Sequence, residues 1–330
     1  TSDELADHLL AKEGGLDLAP WAIHREYMDG RLAAVIGGVA RAAFDASLAP
    51  GEEDFNWSMF RKPMGIAKAF GPAAYGGWDW TFLSGMSDFI VLDTRCPRWA
   101  WCLVRDLNPS AKVLAGLDTS SRRAAEDAWH AVSEGLDGVM LGGYREFAAK
   151  AASIEPGAQG DSEGLAAALT SMRGIADVIS VSRRAAGVAV VYSPESIRAG
   201  WMLAKLTRPG VETAPECGTE ALDAWTQLLT DTGIDYEWVS IRAVEDGALT
   251  QQGYLVTILP ETYCLSEQAL AALASYASAG GTVIADNGAG LLDENYRAGS
   301  ANPADALFGI ERAPLGFISA SEVFIGAETT

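Results

Sequence analysis

Residues 255–285, LVTILPETYCLSEQALAALASYASAGGTVIA, decide the fold. Leu255, Val256, Ile258 and Leu259 make a short apolar run of the kind a parallel-sheet strand needs when both its faces are covered, and Pro260 ends it. Ser266 before Glu267 marks a helix start, Leu265, Ala269, Ala272, Leu273 and Tyr276 form its apolar stripe, and Gly280-Gly281 stop it. Thr282, Val283 and Ile284 open a second strand. Strand, helix and strand in one pass is half of a doubly wound α/β unit. The alternation extends upstream, with a strand at Val188 to Tyr192, a helix around Thr219 to Thr232 and a strand at Tyr236 to Ser240. A βαβαβ order predicts a parallel sheet.

Composition sets the outer limits. The chain has 330 residues, 49% of them apolar and 21% charged, which is enough for two ordinary cores. No run approaches the roughly 20 apolar residues of a membrane span, so no membrane partner is expected. The formal net charge of −20 argues against nucleic acid, because phosphate binding needs clustered Lys and Arg. Cys96, Cys102, Cys217 and Cys264 follow no CxxC pattern and read as small hydrophobes in a reducing, cytoplasmic compartment. The chain begins at Thr1 without a Met, so an upstream region is expected.

The first half alternates in the same way. A long helix is expected over Ala19 to Ala46, amphipathic at its start, followed by three apolar strands, Asp88 to Asp93, Lys112 to Asp118 and Gly138 to Tyr144. In a (β/α)8 barrel, active-site groups sit at the carboxyl ends of the strands, which puts barrel chemistry at Asp93, Asp118 and Tyr144. Pro156, Gly157, Gly160 and Gly164 loosen the chain before a short helix from Leu165 to Ser182. The expected organisation is therefore the carboxyl-terminal part of a barrel over 1–155, a linker and helix over 156–185, and a parallel-sheet domain over 186–314. The segment 315–330 alternates apolar and polar residues, as an edge strand or the start of a further β module would.

The same words carry a resemblance. A strand ending in Leu259-Pro260, the helix start Leu265-Ser266-Glu267 and the close Ala279-Gly280-Gly281-Thr282-Val283 resemble the trimerisation domain of glycoside hydrolase family 42 β-galactosidases, a flavodoxin-like, class I glutamine-amidotransferase-like module. The match runs back through Trp201 to Val188-Ala189-Val190-Val191-Tyr192-Ser193. Gly77-Trp78-Asp79-Trp80 before Asp88-Phe89-Ile90 resembles the approach to the sixth strand of that family's barrel. Val104-Arg105-Asp106-Leu107-Asn108-Pro109 resembles the approach to the seventh, and Ala128-Trp129-His130-Ala131 with Gly135, Gly138 and Val139 the closing helix and strand. The resemblance implies a carbohydrate substrate, a homo-oligomer that is a trimer, and no cofactor. It implies an acid/base Glu after an Asn on the fourth strand, a pair that does not occur here, so the chain reads as the carboxyl-terminal part of a longer enzyme. It implies a Glu nucleophile at the end of the seventh strand, where this chain has Asp118. Asp is one methylene shorter than Glu, and a retaining pair needs carboxyls about 5 Å apart.

Each candidate has a plainer reading. Asp118, in Leu117-Asp118-Thr119-Ser120-Ser121, is a nucleophile or hydroxyl acceptor on one reading and a helix N-cap on the other. Asp93 either binds sugar hydroxyls or pairs with Arg95 or Arg105. Trp78 and Trp80 either stack on a pyranose or pack a core, as most of ten tryptophans must. His8, His24 and His130 lack partners at ligand spacing, so no metal site is expected. Cys264 lies between Tyr263 and Leu265, not between the glycines of a nucleophile elbow, which disfavours amidotransfer. Gly288-Ala289-Gly290 lacks the third glycine of a dinucleotide fingerprint. Two functions remain. One is a glycoside hydrolase with Asp118 catalytic and Asp93, Trp80 and Tyr144 lining the sugar. The other is a non-catalytic carbohydrate-binding or oligomerisation protein with a degenerate barrel.

Overall fold

The computed structural model describes residues 18–47, 79–84, 89–93, 98–119, 121–142, 159–175, 177–178, 186–207, 219–286, 288–298 and 302–312. The readings that fall on Trp78, Tyr144, Cys96, Cys217 and the segment 315–330 lie outside these residues. The described residues divide into two units. One holds 18–32, 79–81 and everything from Ala186 on; the other holds 33–47 and 82–178.

The first unit is built on a parallel sheet of β4 (Val188–Tyr192), β5 (Tyr236–Ser240), β6 (Val256–Leu259) and β7 (Thr282–Ala285), in the order β5-β4-β6-β7. The first strand in sequence is central, its successor lies on one side and the next two on the other, which is the order of a doubly wound sheet. Burial follows from that place: Ala189, Val190, Val191 and Tyr192 are all at most 1% exposed. On one face Ala189, Val191, Val239 and Leu259 join Ile241 and Val244 of the helix Ile241–Glu245 and Ala269, Leu273 and Tyr276 of the helix Glu267–Ser278 in one core. The local signals act as the sequence predicts. Ser266 Oγ caps the helix by accepting from Ala269 N at 3.0 Å, and Gly280 ends it with φ +100°. Gly281 is required for packing: a Cβ there would lie 2.3 Å from Cζ of Tyr276, whose ring is buried. A second cluster gathers Leu18, Ala22, Ala199, Trp201, Met202, Cys264, Leu292 and Tyr296, with Trp21 stacked on Trp201 at 5.8 Å.

The other unit carries a parallel sheet of β1 (Phe89–Asp93), β2 (Lys112–Asp118) and β3 (Gly138–Gly142), with the helices Arg98–Leu107, Ala124–Ser133 and Gln159–Gly174. Ile90, Leu92, Val113, Ala115 and Leu117 alternate onto one face and are at most 1% exposed. The face carrying Leu114, Gly116, Gly138 and Met140 is only half-buried, and Lys112 on it is exposed. Three parallel strands with helices packed on one face, and no closed barrel among the described residues, make a partial (β/α)8 arrangement. Among the described residues no helix is long and apolar enough to cross a membrane.

Three local expectations change. The helix expected from Leu165 spans Gln159–Gly174, since Gly160 and Gly164 are accommodated inside it. The helix after β2 begins at Ala124 with Arg123 at its cap position, so Asp118 does not cap it. The amphipathic helix Ala19–Ser47 forms, but its buried side carries Asp29, 1% exposed, along with Ala22 and Ala33, while Ile23 and Tyr27 are 53% and 62% exposed. Replacing Ser266 by Ala removes the cap of the helix Glu267–Ser278 and is expected to lower unfolding free energy by about 1 kcal/mol. Urea denaturation checks it; an unchanged midpoint would mean the cap contributes nothing.

Candidate functional site

Two of the predicted site residues end neighbouring strands. Asp93 closes β1 and stands in register with Gly116, while Asp118 closes β2 in register with Gly142. Registered residues of parallel strands share a face, and so do residues two apart on one strand. Asp93, Gly116, Asp118 and Gly142 therefore belong to one face, the one not packed against the buried Ile90, Leu92 and Leu117 row. Strands about 4.8 Å apart and a two-residue offset put the two aspartate Cα atoms about 8 Å from each other. Each aspartate is in register with a glycine of the next strand. At Gly116 a Cβ would come within 3.2 Å of Val91 Cγ1. Tyr144 lies outside the described residues, two positions past Gly142.

Arg105, one proposed partner of Asp93, is engaged elsewhere. Its Nε donates to Asp106 Oδ1 at 2.8 Å and its Nη1 to the carbonyl of Glu134. Trp80 belongs with the α/β sheet unit and is 1% exposed, its backbone N–H donating to Tyr192 Oη at 3.4 Å. Its ring faces are covered by protein, so packing accounts for it, and a sugar platform does not.

Sequence reasoning passed over the most concentrated electrostatic feature, which lies at the carboxyl end of β4. Arg198, on the helix Pro194–Thr207, is 1% exposed. Its Nη2 donates to Asp29 Oδ2 and to Asp79 Oδ2, both at 2.7 Å, and its Nη1 to Tyr296 Oη at 3.1 Å. Asp79 Oδ1 in turn accepts from Thr81 N at 2.9 Å and Thr81 Oγ1 at 2.5 Å. Burial alone would lower the Arg198 pKa, but Tyr296, Asp79, Asp29 and Glu195 together raise it. Burial raises Asp29 against the opposing pull of Arg198, and burial followed by the Asp79 charge raises Glu195. A signal was present in the sequence: Arg198 interrupts Ile197, Ala199, Trp201 and Met202, all buried, directly after a strand. Its partners are 119 and 169 residues away, which no local pattern reveals.

Beside this cluster Ser193 Oγ and Ser196 Oγ lie 2.8 Å apart, and Ser196 Oγ accepts from Cys264 N at 3.0 Å. Cys264 is 3% exposed and burial, followed by the Glu195 charge, pushes its thiol well up. A buried, protonated thiol is no nucleophile. At the ends of β6 and β7, Asp286 Oδ1 accepts from Glu261 N at 2.6 Å and Oδ2 from Trp225 Nε1 at 2.9 Å. Burial, then the Asp286 and Glu220 charges, raises Glu261. Among the described residues no three His, Cys, Asp or Glu side chains converge as a metal site. His130 sits 3.4 Å from Glu126 on a helix surface.

Against known structures, the chain is similar in fold to β-galactosidases. It matches the cold-adapted enzyme of Rahnella sp. R3 over 72% of this chain and 39% of that one, with TM-score 0.54 and 18% identity. It matches that of Bacillus circulans sp. alkalophilus over 70% and 37%, with TM-score 0.55 and 18% identity. It matches that of the psychrophilic Marinomonas ef1 over 70% and 41%, with TM-score 0.51 and 13% identity. The chain thus spans about two fifths of the length of these enzymes. The β-galactosidase-like fold expected from the sequence is the fold observed, and at these identities the likeness is one of fold. No family profile matches the chain, and no curated protein matches it.

Cys102 and Cys264 are both buried thiols. Iodoacetamide treatment of the folded protein is expected to leave them unmodified, with alkylation of both after denaturation. Mass spectrometry of peptides reads this directly, and native labelling of Cys264 would show that the strand end is open.

Proposed function

We propose that the chain is the part of a glycoside hydrolase that presents strand-end carboxylates to a β-linked sugar. The observation that carries the reading is the placement of Asp93 and Asp118 at the carboxyl ends of adjacent parallel strands, on one face, in a chain with the fold of β-galactosidases. Loops at that end of a barrel converge on the reacting bond, and a carboxylate there stabilises an oxocarbenium-like transition state or attacks it. Asp118 is the catalytic carboxylate, Asp93 accepts hydroxyl hydrogen bonds from the sugar, and Tyr144 lines the same mouth. The general acid comes from residues other than these. The sheet unit built on β4 to β7 serves as a flavodoxin-like trimerisation module in a cytoplasmic enzyme, a location supported by the thiols of Cys102 and Cys264.

A second reading is favoured by one specific residue. Asp118 stands where the β-galactosidase family that the sequence resembles places Glu, and a shorter side chain fits a binding role in a non-catalytic, carbohydrate-binding or oligomerising protein.

The two readings separate in a hydrolysis assay with a nitrophenyl β-galactoside on the full-length gene product that contains these residues. For a hydrolase, Asp118→Asn is expected to lower kcat by at least about 100-fold, the lower range for a group acting in the transition state. Asp93→Asn is expected to raise KM more than it lowers kcat. Full activity in the Asp118→Asn protein would remove Asp118 from the chemistry, and a wild-type protein that binds galactosides without cleaving them would establish the second reading. Light scattering tests the module: a trimer is expected, and a monomer at all concentrations would count against that role.

A further inference from the structure

In open α/β sheets the ligand crevice opens at the carboxyl ends of the strands where the connections diverge to opposite sides. Here that point lies between β4 and β6, because the chain leaves β4 for β5 on one side and returns to β6 on the other. The crevice is filled from within the chain. Ser196 Oγ, in the first turn of the helix after β4, accepts from Cys264 N after β6. Trp80 N reaches Tyr192 Oη, and Leu18 N reaches the Tyr296 carbonyl at 3.3 Å. Asp29 and Asp79 deliver their carboxylates to Arg198. Residues 18–32 and 79–81 form a strap across the strand ends.

The strap closes with one carboxylate too many. Asp29, Asp79 and Glu195 face Arg198 and Arg25; Arg242, half exposed, is 3.8 Å from Glu195 and is shared with Glu26 at 3.2 Å. Tyr192, Tyr296 and Cys264 complete the surroundings, and burial keeps all three protonated. Both Asp79 oxygens accept hydrogen bonds, whereas Asp29 Oδ2 takes two from Arg198 and Asp29 Oδ1, buried, takes none. Arg25 Nη2 approaches Oδ1 only to 3.6 Å. A neutral oxygen without a donor costs far less in this setting than a charged one.

We propose that Asp29 keeps a proton in the folded chain, and that the strap formed by residues 18–32 and 79–81 is a latch over the strand-end crevice that this proton holds shut. The upward push on Asp29 from burial points the same way. A carboxyl with a raised folded value favours the closed state at low pH, and that contribution is lost as pH rises through the raised value. Loss of the proton leaves the excess charge buried, so the strap lifts and Arg198 meets solvent.

Hydrogen–deuterium exchange of the full chain, read peptide by peptide and corrected for the intrinsic pH dependence of exchange, tests the latch. From about pH 5 to about pH 9, protection of residues 19–32 and 79–84 is expected to fall by up to about tenfold per pH unit, the limit for one proton. Protection of residues 267–285 should stay level. In Asp29→Asn, protection of the strap should no longer depend on pH. If that variant does not fold, Glu195→Gln, which removes the excess charge, should flatten the slope. A strap whose protection is level across the range in the wild type, or a wild-type slope retained in whichever variant folds, would overturn the proposal.

Discussion

Arg198 cannot be solvated by water where it sits, and the first unit is arranged around that fact. A buried guanidinium needs acceptors and counter-charge together, and leaving it with one partner missing costs about 3–5 kcal/mol. The sheet does not provide them. They come from a helix and a short segment far upstream, which explains why residues 18–32 and 79–81 group with a sheet that begins at β4. It also explains why a charged residue lies on the buried side of the helix Ala19–Ser47: Asp29 faces inward beside Ala22 because Arg198 is inside.

The strand ends of the other unit follow a different constraint. Parallel strands cannot be joined by tight turns, so helices return on one face and every strand points the same way. Asp93 and Asp118 reach the same edge because β1 and β2 share that direction, and their two-residue offset comes from β2 running on past the last residue paired with β1.

Legibility in the sequence tracks the range of the interaction. The elements from Leu255 to Ala285 were readable almost to the residue because their signals are local: Pro260 and Gly280 stop elements, Ser266 caps, and apolar runs mark strands. Burial was read less well, since β6 is buried but Leu255 is 70% exposed and β7, at the sheet edge, has no buried residue. The strands ending in Asp93 and Asp118 were readable for the same reason. Asp118 also has a helix-cap reading in the sequence, since Asp before Thr-Ser-Ser fits both; the helix that begins at Ala124 removes the cap reading. Trp80 was placed beside a sugar because of its expected position at a barrel end, yet it is 1% exposed and its backbone N–H donates to Tyr192 Oη, 112 residues on. Arg198 stood out only as a charge among apolar residues, and Asp29 and Asp79 carried no local signal, because charge at those positions becomes informative only once the fold brings them together.

The separation between those partners also orders events as the chain is made. Asp29 and Asp79 leave the ribosome 169 and 119 residues before Arg198. Loop closure over such spans is slow relative to local helix and strand formation, so the upstream segments wait, with Leu18, Ala22 and Trp80 unprotected, until the helix after β4 has emerged. A chaperone that holds apolar stretches would find its substrate in that interval, and truncation before residue 198 would make the interval permanent.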